Sequence, residues 1–68
     1  MRERVVNKVY QLRTASGITQ EALAEAVGVT RQTVIAIEKG NYTPSVLLAL
    51  KIARFFHAPA DKVFLIEP

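Results

Sequence analysis

Gly17, Gly28 and Gly40 fall a short helix apart, and with Pro44 and Pro59 they divide the chain into segments whose apolar residues stand three and four apart. Such punctuation predicts a set of short helices. No internal repeat, low-complexity tract or linker interrupts it. The first segment puts Val9 and Leu12 on one face and ends at Gly17, which predicts a helix from about Asn7 to Ala15. Thr19 is placed to cap a second helix, Gln20 to Val27, with Glu21 favourably in its first turn and Leu23 and Val27 facing the core. Thr30 caps a third, about Arg31 to Lys39, with Val34 and Ile37 inward.

Pro44-Ser45 opens a fourth helix, about Ser45 to His57, in which only Lys51 and Arg54 are charged. It carries two apolar stripes: Val46, Leu50, Ala53 and Phe56, and Leu48, Ile52 and Phe55. The expectation is that the first fills the core while the second lies outside as a docking surface. Pro59 begins a short fifth helix to about Lys62, and Val63 to Ile66 reads as a short strand whose natural partner is Arg4-Val5-Val6. The expected fold is therefore mainly α: five helices, with a small two-stranded antiparallel sheet formed by the N- and C-termini.

With 68 residues, half of them hydrophobic, the chain supports one compact domain spanning 1–68 and a core barely sufficient for it. The absence of cysteine removes disulfides and thiolate metal sites as supplements, which points to homodimerisation. No apolar run is long enough to span a membrane, and Met1-Arg2-Glu3-Arg4 is not followed by a secretory apolar stretch, so a soluble cytoplasmic protein is expected. One His and six scattered carboxylates offer no nucleophile and base pair and no metal cluster, so no enzyme, cofactor or metal is expected. His57 reads as a C-terminal helix cap before it reads as a ligand or pH sensor. Nine basic against six acidic residues leave a net charge of +3, which suits a binding module for an anionic partner.

Residues 20–39 carry the chemistry. A short helix with Leu23-Ala24, a turn on Gly28-Val29 and a helix starting at Thr30 must cross tightly; Ala24 permits the close approach and Val29 plugs the corner. Through Gln20, Leu23-Ala24, Gly28-Val29, Thr30-Arg31-Gln32-Thr33-Val34, Ile37-Glu38 and Gly40, the segment resembles the phage repressor and Cro-type (XRE) helix-turn-helix family. The resemblance runs from about Val9 to Phe64, and Pro44-Ser45 with Ala49-Leu50-Lys51-Ile52-Ala53 resembles that family's small stand-alone dimeric regulators.

With Val34 and Ile37 inward, Arg31, Gln32, Ile35 and Ala36 point outward together. Arg31 can pair with guanine O6/N7 and Gln32 with adenine N6/N7; Thr33 can add a base or phosphate contact, and an exposed Ile35 suits a thymine methyl. In isolation the same side chains read as ordinary first-turn surface, and the helix-turn-helix setting turns the balance toward readout. The resemblance implies that Gln20 contacts a phosphate with the adjacent amides. Thr30, Lys39, Asn41 and Tyr42 flank the reading helix as further phosphate candidates, although Asn41-Tyr42 reads equally as a solvated turn. Lys51 and Arg54 read as solubility. The resemblance also implies a partly buried ion pair between Arg13 and Glu38, and a dimer interface after Pro59 at Ala60, Val63 and Leu65, with the turn from Asn41 to Thr43 near the two-fold axis.

The sequence thus predicts a sequence-specific double-stranded DNA-binding transcriptional regulator, acting as a repressor and homodimer, with no small-molecule effector evident. The competing reading is an antitoxin-like protein-interaction module that neutralises a partner protein through the outer stripe of the fourth helix.

Overall fold

The computed structural model describes residues 2–68: β1 (Arg4–Asn7), α1 (Val9–Ser16), α2 (Gln20–Val27), α3 (Arg31–Glu38), α4 (Val46–Phe55), α5 (Ala60–Val63) and β2 (Phe64–Glu67). Hydroxyl caps open three of these helices. Thr19, Thr30 and Ser45 each hold an extended backbone and accept from the amide three residues on, at 3.0, 3.3 and 3.2 Å, which satisfies one of the donors a helix start leaves free.

β1 and β2 pair antiparallel in the register Arg4↔Glu67, Val5↔Ile66, Val6↔Leu65 and Asn7↔Phe64, so the two ends of the chain close the expected sheet. Both strands extend one residue beyond the expected limits at their C-terminal ends, and β2 begins one residue later. Asn7 belongs to β1 and α1 starts at Val9. The Arg4–Glu67 ion pair at 2.7 Å is largely solvated and stabilises the sheet little.

The core draws Val9 from α1, Leu23, Ala24 and Val27 from α2, Val34 and Ile37 from α3, Leu48, Ile52 and Ala53 from α4, and Val63 from α5. For α4 this corrects the expected division into stripes. Leu48 and Ile52, assigned to the outer surface, are buried, whereas Val46 and Leu50, assigned to the core, are 77% and 52% exposed, as is Leu47 at 65%. The inward face takes members of both stripes because it lies opposite Lys51 and Arg54, which must face water. Val63, expected at a dimer interface, is fully buried at the end of α5. No helix among the described residues is long and apolar enough to cross a membrane.

α4 ends at Phe55, two residues before the expected limit, because His57 turns the chain with φ of 55°, the left-handed position usually given to glycine. Its N–H donates to the Arg54 carbonyl at 3.1 Å and that of Ala58 to the Ala53 carbonyl at 3.0 Å. The imidazole is exposed, so only the backbone does the capping. His57→Gly is expected to relieve more strain than it costs in chain entropy and to raise the melting temperature by about 2 to 8 °C in a thermal scan. A lower melting temperature would show that the imidazole itself holds the helix end.

Candidate nucleic-acid interface

Two short helices are locked together by the turn between them. Gly28 takes φ of 78° after α2, and the Val29 N–H reaches back to the Ala24 carbonyl at 2.9 Å. A Cβ on Gly28 would meet nothing within 4 Å, so the turn needs glycine for its backbone conformation and not for space. Val29 packs against the core and Ala24 is 3% exposed, as the close approach of α2 to α3 requires. The eight residues of α3 then lie with Val34 and Ile37 sealed inside and the first turn facing water.

Of the expected base readers, Arg31 and Gln32 are exposed side by side at the start of α3. Thr33 is half-buried, its Oγ1 lying 3.2 Å from that of Thr30. Ile35 departs from expectation: it is half-buried, as is Ala36, so the outer face of α3 narrows to Arg31 and Gln32 with Ile35 at its margin. Gln20 and Arg31 line one shallow depression, which brings the starts of α2 and α3 together. Lys39 and Asn41 line a different groove, facing Arg4 of β1, and Tyr42 is 47% exposed in the turn beyond. Thr30 is exposed but its hydroxyl is already engaged as the cap of α3. Ala60 packs against the core, and Leu65 is half-buried in the sheet opposite Val6.

The far end of α3 is pinned by charge. Arg13 donates from Nε to Glu38 Oε2 at 2.6 Å and from Nη2 to Oε1 at 3.2 Å, and its Nη1 donates to the Ile18 carbonyl at 2.9 Å. The two side chains are only 11% and 6% exposed, so this is a two-point pair taken out of water. Hydrogen bonding to Glu38 raises the Arg13 pKa above its ordinary value against the opposing effect of burial. The Tyr10 ring lies 5.5 Å from the guanidinium carbon. Gln20 also takes part: its Nε2 donates to Glu38 Oε1 at 3.1 Å, leaving the second hydrogen of that amide for another acceptor.

One residue in this arrangement makes a contact for which the sequence carries no local signal. Asn7 donates from Nδ2 to the Ile37 carbonyl at 2.9 Å and accepts from the Val9 N–H at 3.0 Å. Its second role, an Asx turn ahead of α1, is the sort of local contact a sequence suggests; its first spans 30 residues and depends on the tertiary fold.

Two short capped helices joined by the turn at Gly28, the second with Arg31 and Gln32 exposed at its start, form a helix-turn-helix. Residues 9–63 match the helix-turn-helix family HTH_3, and the chain belongs to this family, the phage repressor and Cro type. The HTH-type transcriptional regulator YgzD of Bacillus subtilis is 59% identical over 61 residues, covering 90% of this chain and 92% of that one. The transcriptional repressor RstR of the cryptic phage CTXphi from Vibrio cholerae is 34% identical over 53 residues, 78% of this chain and 48% of RstR. Among solved structures, the restriction-modification controller protein C.AhdI from Aeromonas hydrophila superposes with a TM-score of 0.75 at 33% identity, covering 81% of this chain and 83% of that one.

Proposed function

We propose that this regulator binds double-stranded DNA sequence-specifically as a homodimer and represses transcription by occupying promoter DNA. The observation that carries the reading is the exposed Arg31-Gln32 pair at the start of a helix whose rear is sealed in the core and whose far end is braced by Arg13, Gln20 and Glu38. α3 enters the major groove, where Arg31 reads guanine and Gln32 adenine, with Thr33 and the margin at Ile35 in support. The free hydrogen of the Gln20 amide, the Thr30 end of α3, and Lys39, Asn41 and Tyr42 contact phosphates on either side. That RstR is a transcriptional repressor supports repression.

Dimerisation supplies what one small reader lacks, since a few base pairs give too little discrimination among competing sites. The apolar surface we assign to it is Val46, Leu47 and Leu50 on α4, with Ala60 and Leu65; Val63, buried within the single chain, is left out of it. The same exposed α4 surface is what favours the second reading, a module that docks a partner protein, and a chain that sediments as a monomer would favour it.

Arg31→Ala or Gln32→Ala is expected to weaken binding to the preferred duplex by about 1 to 3 kcal/mol while changing binding to random duplex little. Lys39→Ala should weaken both alike. Fluorescence anisotropy with both duplexes at one stated salt concentration measures this; equal losses on both duplexes for Arg31→Ala and Gln32→Ala would remove them from base readout.

A further inference from the structure

The terminal sheet and the reading helix meet at one side chain. Asn7, the last residue of β1, sits opposite Phe64 of β2, and its carboxamide bridges two elements, donating to the Ile37 carbonyl and accepting from the Val9 N–H that starts α1. Ile37 is fully buried in the last turn of α3, where carbonyls find no partner further along the helix. The Gly40 N–H shares that carbonyl at 3.0 Å, and Asn7 supplies a donor from outside the helix.

The next residue, Glu38, is held by Arg13 and Gln20. Residues 37 and 38 are therefore gripped from two sides, by β1 through Asn7 and by α1 and α2 through the charged brace. The opposite end of α3 carries Arg31 and Gln32 and faces water. An eight-residue helix is about 12 Å long, so a tilt of roughly 10° about its held end moves the exposed tip by about 2 Å. Paired hydrogen bonds to a base edge tolerate much less than that. The turn after α2 and the packing of Val34 and Ile37 already hold α3 against the core; the Asn7 contact, on the carbonyl next to the Glu38 brace and from another element, limits the tilt that remains.

We infer that Asn7 is a positioning residue for base readout: through the Ile37 carbonyl it lets the terminal sheet set the tilt of α3. This rests on α3 being the reading helix. It gives the sheet a role beyond covering the core, because the ends of the chain are then coupled to the orientation of Arg31 and Gln32, which they do not touch.

The test uses Asn7→Ser, whose hydroxyl keeps an acceptor for the Val9 N–H and is too short to reach Ile37. The probes are the duplex that the unmodified protein selects from a random pool and a scrambled duplex of the same length and composition. Asn7→Ser is expected to bind the selected duplex about tenfold more weakly and the scrambled duplex within about twofold of the unmodified protein. A folded Asn7→Ser that keeps the ratio of the two affinities within about twofold, whether by losing nothing or by losing equally on both, would overturn the inference. Should Asn7→Ser melt below the assay temperature, the same titrations are made in the His57→Gly background, with the same outcomes deciding. An unmodified protein that selects no duplex would instead overturn the assignment of α3 as the reading helix.

Discussion

Val63→Asp is expected to leave no folded chain at 25 °C, with the helical circular dichroism of the parent lost. Val63 is fully buried where α5 meets β2, packed with residues from the other helices. Replacing it removes a branched side chain whose burial is worth about 1.5 to 3 kcal/mol. It also puts a carboxylate among the apolar side chains of the core, a cost of several kcal/mol even if the group takes up a proton. A 68-residue core supplies only about 3 to 5 kcal/mol of net stability, so the sum exceeds what the fold can absorb. Leu50→Asp is the contrasting case. Leu50 is half exposed on the outer side of α4, so this variant should stay folded and sediment as a monomer where the parent sediments as a dimer. A folded Val63→Asp dimer would show the core to be more accommodating than its burial implies, and a dimeric Leu50→Asp would move the interface off α4.

Glu38→Ala is expected to be nearly as damaging, for a different reason. The Arg13 guanidinium is drawn out of water only because Glu38 meets it at two points, and without the carboxylate it keeps the Ile18 carbonyl alone. Gln20 loses its acceptor in the same step. Removing one member of such a buried pair costs about 3 to 5 kcal/mol, most of it the desolvation of the charge left behind. The double substitution Arg13→Met with Glu38→Leu, which strands no charge, should recover most of that stability. Urea unfolding of the parent and both variants measures the difference. A Glu38→Ala midpoint close to that of the parent would mean that Arg13 escapes to solvent without it.

The helix-turn-helix was legible because its signals are local: Thr19 and Thr30 are within three residues of the amides they cap, and the positive φ at Gly28 calls for glycine. The terminal sheet was legible from the apolar run after Lys62 and the Arg4-Val5-Val6 segment, although that run begins inside α5, so Val63 points into the core. An unbroken apolar run gives no period from which to choose one face, and the same ambiguity misassigned Leu48 and Ile52 to the outside of α4 and Val46 and Leu50 to its core side, while Ala53 and Phe55 fell as expected. The signal that resolves α4 was present in Lys51 and Arg54, since the buried Ile52 and Ala53 lie across the helix from them. At Ile35, the helical period set the direction but not how far neighbouring elements rise beside a short helix, so it is half-buried. The Asn7 to Ile37 contact was beyond any local rule, because it joins two elements that meet only in the folded chain.

Selection from a pool of random duplexes with the purified protein, at one stated salt concentration, decides whether α3 reads base sequence within a dimer. The expected result is a two-fold symmetric site with half-sites about one helical turn, ~34 Å, apart. The same expectation has Arg31→Ala, carried through the selection, relax one base position in each half-site. Recovery of no sequence above the starting pool, or of an asymmetric site that Arg31→Ala and Gln32→Ala leave unchanged, would contradict it.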